Sequence, residues 1–220
     1  MRALLGVLLG ALAVACTDSS GLRRLHYGNG QLWSEIKVHE GTPEGRWRTW
    51  YENGQPASDG SYVDGVRQGA WTMWWENGQK QSEGGFAHGR PDGRWRHWFA
   101  SGILASESGF ENGFLEGEAQ EYYGDGALRT RVTFHSGLLD LVSRAYWPGG
   151  NLKYEWTYDK GVLNGPYRTF RDDGAEWIIG QYEHGAQTGT WLVFRPDGSV
   201  NENLSGTFEN GQRVKPWSSE

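Results

Sequence analysis

The sequence predicts an all-β protein: an elongated antiparallel sheet of tandem 24-residue β-hairpins that follows an N-terminal signal peptide. Three observations predict this fold. Glycine recurs every 24 residues in three separate registers, aromatic residues keep the same period, and Asn or Asp precedes the first glycine in most units. Because Asn-Gly and Asp-Gly favour tight β-turns, a fixed spacing of such turns indicates stacked hairpin repeats.

The three glycine registers define the repeat unit. The first register comprises Gly30, Gly54, Gly78, Gly102, Gly126, Gly150, Gly174 and Gly198. The second comprises Gly41, Gly65, Gly89, Gly113, Gly137, Gly161 and Gly185. The third comprises Gly45, Gly69, Gly93, Gly117, Gly165 and Gly189, and it has Leu141 in the remaining unit. A chance distribution of glycine does not keep three registers over so many units, so the period is structural.

Each unit is predicted to be a hairpin whose register follows from its turn. If Asn53-Gly54 is a two-residue type I′ loop with both residues at positive φ, it joins a strand over 46–52 to a strand over 55–63. This loop places Trp47 opposite Gly60 and Tyr51 opposite Pro56. The unit around Leu141 lacks both the third glycine and the first Trp, so the pattern predicts a departure from a regular hairpin there.

Alternation along the two strands sorts the side chains onto two faces. The ring face is defined by Trp47, Thr49, Tyr51, Pro56, Ser58, Gly60, Tyr62 and their equivalents. The charged face is defined by Arg46, Arg48, Trp50, Ala57, Asp59, Ser61 and their equivalents. The ring face is the predicted core, with the Trp47 ring lying over Gly60. On the charged face, Arg48 and Asp59 are expected to form a cross-strand ion pair.

The N-terminus is typical of an exported protein. Arg2 and an apolar run that ends at Ala15 form a predicted signal peptide over residues 1–15, too short to span a membrane as a helix. The single cysteine, Cys16, lies where a bacterial lipoprotein is lipidated, although Ala13-Val14-Ala15 also fits an ordinary cleavage site. We expect a lipid-anchor linker over 16–23, the repeat array over 24–211 and a C-terminal cap or tail over 212–220. Thr17 after the cysteine favours the outer membrane.

Composition argues against several classes of function. A net charge of −6 disfavours a nucleic-acid partner, and one cysteine excludes an intrachain disulfide. His88 and His184 share a repeat position before a turn glycine, where a polar residue suits the turn. No His, Cys or carboxylate grouping has metal-ligand spacing. We therefore predict no catalytic residues, no metal and no cofactor.

One aromatic row of the charged face is the candidate ligand-contact surface. Rings at regular spacing beside guanidinium groups can stack on sugars, peptides or partner side chains. The alternative is that the rings pack on one another and on arginine stems to stiffen the sheet. The predicted contact residues are Trp50, Trp74, Trp98, Tyr122, Arg48 and Arg96.

The unit at Gly45–Gly65, with Gly-x-Trp-x-x-Trp-Tyr-Glu-Asn-Gly-Gln followed by Tyr-x-Asp-Gly, resembles the MORN repeat. It resembles most closely the bacterial variant found in proteins labelled YwqK-family antitoxins. The resemblance covers about residues 24–211 and is clearest at Gly69–Gly89 and Gly93–Gly113. It implies hairpin repeats that act as scaffolds or binding surfaces, with no catalytic residues.

Three functions are compatible with these features of the sequence. The first is a non-enzymatic cell-envelope scaffold, anchored to the membrane by lipid, that binds an unknown protein or peptide. The second is an envelope module that binds glycan through the aromatic row. The third, favoured by the family label alone, is an antitoxin or immunity protein that neutralises a toxin.

Overall fold

The computed structural model describes residues 16–218, and every regular element within them is a β-strand. The all-β fold of tandem hairpins is therefore confirmed. The chain divides into two compact units, the first ending at Gly102 and the second beginning at Ile103. In each unit, strands that follow one another in sequence pair in antiparallel fashion.

The first unit is an antiparallel sheet of eight strands. They are β1 (Cys16–Thr17), β2 (Leu22–His26), β3 (Leu32–His39), β4 (Thr42–Trp50), β5 (Pro56–Val63), β6 (Val66–Trp74), β7 (Lys80–Ala87) and β8 (Arg90–Trp98). The short strand β1 pairs with β2, so the sheet includes the region predicted to be the anchor linker.

The second unit is built in the same way from the remaining strands. They are β9 (Leu104–Glu111), β10 (Phe114–Leu115), β11 (Gly117–Tyr122), β12 (Leu128–His135), β13 (Leu138–Tyr146), β14 (Leu152–Asp159), β15 (Val162–Phe170), β16 (Glu176–Glu183), β17 (Ala186–Val193), β18 (Gly206–Glu209) and β19 (Gln212–Pro216). Both β10 and β11 pair with β9, so they form one interrupted strand. A two-residue insertion before β18 displaces the last turn, yet Trp191 still pairs with a glycine, Gly206.

The Asn-Gly loop differs from the predicted type I′ turn. Gly54 N donates to Tyr51 O at 2.9 Å and Tyr51 N donates to Gln55 O at 2.8 Å, so the loop has three residues. Only Gly54 has positive φ, at 84°, the geometry of a type I turn closed by a glycine bulge. Asn53 stabilises the loop through its side chain instead, because its Oδ1 accepts a hydrogen bond from Gln55 N at 2.9 Å.

The type I′ turns lie at the opposite ends of the strands, in the second glycine register. Asp64 and Gly65 have φ of 49° and 76°, and they join the directly opposed residues Val63 and Val66. His88 and His184 occupy the same first turn position with φ of 50° and 48°, which confirms that they are turn residues. The third register also has positive φ, and there Leu141 takes φ of 61°.

A bulge after each three-residue loop restores the predicted register but changes one face assignment. Trp47 lies opposite Gly60 and Thr49 opposite Ser58 as predicted, whereas Pro56 lies opposite Trp50 rather than Tyr51. Residues at the Pro56 position therefore join the charged face. Lys80 at this position contacts the charged-face residue Glu83. The prediction that this position belongs to the ring face was wrong, because the extra residue Ala57 reverses the alternation.

The ring face is the core, as predicted. Trp71 and Trp95 are 3% and 6% exposed, and Trp191 in the second unit is 4% exposed. Rings of successive strands meet edge to face, with centroids 5.4 Å apart for Tyr62 and Trp71 and 5.1 Å apart for Phe86 and Trp95. Such aromatic contacts add stabilisation beyond the area they bury. They take the place of the aliphatic core that this composition lacks.

At Gly60, Gly84 and Gly180, the tryptophan that covers the glycine comes from the next hairpin and is not the opposed residue. A Cβ on Gly60 would lie 2.2 Å from Trp71 Cδ2, so Trp71, and not Trp47, lies over Gly60. In the unit with Leu141, the large and the small residue of the opposed pair exchange strands: small, fully buried Ser143 lies opposite Trp156. This exchange keeps one large residue in the pair. Strands β13 and β14 accordingly form a regular hairpin, and the predicted departure does not occur.

Side chains also join each hairpin to the next at the loop ends. Tyr51 Oη donates to Trp74 O at 2.6 Å, and Trp75 Nε1 donates to Trp98 O at 3.0 Å. In the second unit, Tyr123, Trp147 and Arg171 make the equivalent bond with three different donor groups. At the opposite ends, Gly65 N donates to Pro43 O at 2.9 Å. Both ends of the strands are thus fixed from one repeat to the next.

Candidate functional site

On the charged face of the first unit, one row crosses seven strands, and its charges alternate except at the neutral Thr72. Each member is opposite the next in the strand register, because the bulges preserve the alignment at this position. The row is Arg24, Glu35, Arg48, Asp59, Thr72, Glu83 and Arg96. Adjacent strands lie about 4.8 Å apart, so opposite charges within the row are held close together.

Glu35 joins the first part of this row. Its carboxylate accepts from Arg24 Nε at 2.8 Å and from Arg48 Nη2 at 2.6 Å, and its side chain is only 15% exposed. Burial opposes ionisation of this carboxyl, but the two guanidinium hydrogen bonds outweigh burial and lower the pKa of Glu35. The arginines are thereby held in fixed orientations on the surface.

Asp59 pairs with a different arginine from the one predicted. It accepts from Arg46 Nε at 2.9 Å, and the hydrogen bond from Arg46 lowers the pKa of Asp59. The side chain of Arg48, which lies directly opposite Asp59, turns to Glu35 instead. The predicted cross-strand register is therefore right and the predicted ion pair is wrong, since Glu35 on the other neighbouring strand is the competing acceptor.

Glu83 contacts two cations in the last part of the row. Lys80 Nζ lies 2.7 Å from Glu83 Oε2, and Arg96 Nη1 lies 3.4 Å from Glu83 Oε1. The hydrogen bond from Lys80 is the main cause of the lowered pKa of Glu83. Lys80 was not among the predicted contact residues, because its place on the charged face depends on the bulge.

The aromatic row lies beside these charges and is half-buried. Trp50, Trp74 and Trp98 end strands β4, β6 and β8, two strand spacings or roughly 10 Å apart. In the described part of the chain no contact joins any two of these three rings. The alternative is therefore met only in its second part: rings of the row do not pack on one another in this unit, but an arginine covers Trp50.

Cations cover part of two rings. The guanidinium carbon of Arg48 lies 5.4 Å from the Trp50 ring centroid, and Lys80 Nζ lies 5.7 Å from that of Trp98. The predicted contact residues Arg48 and Trp50 are thus brought together, whereas Lys80 contacts Trp98. Tyr122 belongs to the second unit, where it ends β11, is half-buried and lies opposite Leu128.

A shallow depression adjoins the last tryptophan of the row. It encloses about 290 Å³ and is lined by Gln79, Lys80, Trp98 and Gly102. It offers an aromatic edge, an ammonium group and a carboxamide within one small surface. Neither Gln79 nor Lys80 was predicted, because the sequence pattern gives no sign that the loop residues gather beside Trp98.

The N-terminal strand contains Cys16, the predicted site of lipidation. Cys16 begins β1 and pairs with Arg24 in the strand register, while the predicted signal peptide over 1–15 lies outside the described residues. Across residues 16–218, no group of three His, Cys, Asp or Glu is placed to hold a metal ion. Among these same residues there is no helix of the length and apolarity needed to cross a membrane.

Three segments of the chain match the sequence model of the MORN repeat variant, namely residues 43–64, 67–88 and 139–160. Each matched segment holds one strand, its three-residue loop and the following strand, and it ends at the first residue of a type I′ turn. The third match includes Leu141, so the repeat identity extends to the unit in which the glycine is replaced. No curated protein matches the chain.

Proposed function

We propose that this protein is a non-enzymatic scaffold of the cell envelope that binds a protein or peptide partner through the charged face of its repeats. The proposal is supported by the difference between the two faces of the sheet. The ring face is filled by its own aromatic core, whereas the charged face presents arginines fixed by Glu35 and Asp59 beside uncovered parts of the Trp row. A fixed array of aromatic rings and arginines is the composition of a protein-binding surface.

A partner search tests this proposal directly. Mature protein carrying Cys16→Ser is immobilised and exposed to detergent-solubilised envelope proteins, and retained proteins are identified by mass spectrometry. We expect a discrete partner whose retention falls when Trp50 and Arg48 are both changed to Ala. Retention of nothing above a blank column would contradict the proposal. Trp33→Ala, which changes a neighbouring tryptophan outside the predicted contact set, is the matched control.

The envelope location rests on Cys16 and the apolar segment before it. Strand β2 begins at Leu22, so a lipid on Cys16 would hold the first sheet close to the membrane surface. Cys16→Ser should move the protein from the membrane fraction to the soluble fraction after cell lysis. Unchanged membrane association would remove the lipid anchor from the proposal and leave the binding surface to be tested separately.

Glycan binding is the second candidate, favoured by the depression beside Trp98. Sugar rings stack on aromatic side chains, and an ammonium with a carboxamide can bind acidic or hydroxyl groups of a saccharide. Under this alternative, binding to purified peptidoglycan or envelope polysaccharide is lost in Trp74→Ala and Trp98→Ala. Equal polysaccharide binding by these variants and the unchanged protein would reject it.

An antitoxin or immunity role is the third candidate, supported by the resemblance to YwqK-type proteins. It predicts that the partner retained in the envelope experiment is a toxin and that co-expression protects cells from it. Growth of cells expressing that partner, with and without this protein, decides between neutralisation and simple scaffolding.

A further inference from the structure

We infer that the second unit carries a docking surface for a cationic, amphipathic segment of a partner protein, on its charged face at the type I′ turns. The inference rests on the proposed function and names the surface and the chemistry of the partner. Two parallel rows of exposed side chains define it, one apolar and one acidic.

The apolar row consists of the residues that follow successive type I′ turns. Phe114, Leu138 and Val162 are 58%, 49% and 47% exposed. Each leans towards the glycine of the next turn: Phe114 Cδ1 lies 3.3 Å from the position of a Cβ on Gly137, and Leu138 Cδ2 lies 3.6 Å from that on Gly161. The row is therefore continuous along the turns and is not a set of isolated side chains. A contiguous exposed apolar surface is a mark of an interaction site.

An acidic row, interrupted once, lies across the turns from the apolar row. Glu111 is opposite Phe114, Asp159 opposite Val162, and Glu183 opposite Ala186. His135, opposite Leu138, interrupts the row and contacts Glu116. All three acids are exposed, and none forms an ion pair within the described chain. Opposed residues of an antiparallel pair share one face of the sheet, so both rows face the same partner. A depression of about 340 Å³ lies at this edge, lined by Asp159, Lys160, Val162, Asn164 and His184.

Val142 extends the apolar surface. It is 38% exposed and lies opposite Thr157 on the charged face. Leu141 beside it is 59% exposed and takes φ of 61°, where the equivalent residues of the other repeats are glycine. Because Leu141 lies opposite Tyr158, a ring-face position, it does not belong to the apolar row.

The spacing and charge of the two rows indicate which kind of partner segment would fit them. Successive apolar residues are two strands apart, roughly 10 Å. Residues seven apart on an α-helix are separated by a similar distance, roughly 10.5 Å. A helix with apolar residues at heptad spacing and Lys or Arg on one flank therefore matches both rows. Lys160, beside Asp159, would repel a cationic helix. It is one positive charge against the three negative charges of the acidic row.

The test uses a synthetic 21-residue helical peptide with Leu at heptad spacing, Lys on one flank and a fluorescent label. Fluorescence anisotropy should show saturable binding to mature Cys16→Ser protein. Binding should fall about tenfold in Leu138→Asp. Val66→Asp alters the same repeat position in the first unit and should bind within about twofold of the unchanged protein. Peptides with Glu in place of Lys, or with the same residues scrambled, should not bind.

Leu141→Gly changes an exposed residue outside the apolar row. It should bind the peptide within about twofold of the unchanged protein. Equal binding by unchanged protein and Leu138→Asp would overturn the inference, as would an equal loss in Val66→Asp or Leu141→Gly. If the partner found in envelope extracts is still retained by Leu138→Asp, the inference fails and the scaffold function stands. If no partner is retained by any form, the scaffold function fails, and the peptide result alone decides the inference.

Discussion

The indole of Trp71 lies directly on the α-carbon of Gly60, so close that an added methyl group would lie 2.2 Å from Trp71 Cδ2. Gly84 with Trp95 and Gly180 with Trp191 repeat this contact at 2.1 and 2.2 Å. None of these glycines has positive φ. They are required for space rather than for backbone conformation, and they let each ring cover the preceding hairpin.

Gly180→Ala should therefore destabilise the protein by overpacking. We expect a loss of about 1–3 kcal/mol in the free energy of unfolding, measured by urea denaturation. Gly124→Ala is the matched control, because no atom lies within 4 Å of its added Cβ and its φ is not positive. Equal effects of the two substitutions would show that the Trp191 ring does not rest on Gly180.

Leu141→Gly should stabilise the protein. A non-glycine residue at positive φ costs about 1–2 kcal/mol, and the greater freedom of glycine when unfolded offsets part of that. We expect a net gain of about 0.5–1 kcal/mol in thermal or urea unfolding. The reverse change, Gly189→Leu, should be destabilising. Gly189 has φ of 67°, and the space around its added Cβ is open. A less stable Leu141→Gly protein would mean that the leucine side chain supports the fold.

Tyr51→Phe should weaken the connection between the second and third hairpins. The variant loses the 2.6 Å hydrogen bond to Trp74 O, which corresponds to about 1 kcal/mol of stability. The control is Tyr62→Phe: Tyr62 contacts the Trp47 and Trp71 rings, and its hydroxyl has no hydrogen bond within residues 16–218. If both variants unfold at the same urea concentration, the repeat-to-repeat bond contributes nothing measurable.

Acid should destabilise the charged face. The pKa values of Glu35, Asp59 and Glu83 are lowered in the folded protein, so their pairs add stability above the unfolded pKa values near 4. That contribution is lost as pH falls through the lower folded values. The free energy of unfolding should therefore decline from about pH 5 to pH 3. The decline should be smaller in Glu35→Gln. Glu202→Gln changes an exposed acid that has no ion pair among residues 16–218 and should not alter it.

The period of 24 residues was enough to predict the hairpins, the two faces and the Trp47, Thr49 and Ser58 register. It could not distinguish the two kinds of turn, because both contain a glycine at positive φ preceded by a polar residue. Asn53 was assigned to the wrong turn type for this reason. Its side chain accepts a hydrogen bond from Gln55, a role that composition does not separate from tolerance of positive φ.

The candidate site was predicted in part. Trp50, Trp74, Trp98 and the arginines were found because they keep the period. Lys80 was missed because one bulge residue moves its position to the other face, and a bulge leaves no periodic signal. The row from Phe114 to Val162 was also missed. Its members differ in residue type from unit to unit. Only the exposed fraction of each side chain in the structure identifies them as one surface row.

Trp71, Trp95 and Trp191 of the ring face each cover a glycine of the preceding hairpin, and this contact ties the register to the face assignments. Nuclear magnetic resonance tests it most directly, because a proton held against the face of an indole is shifted strongly upfield. The Hα signals of Gly60, Gly84 and Gly180 should be shifted in this way, with cross-relaxation to the Trp71, Trp95 and Trp191 rings. Hα signals of these glycines at ordinary positions, without contact to those rings, would contradict the register and both face assignments.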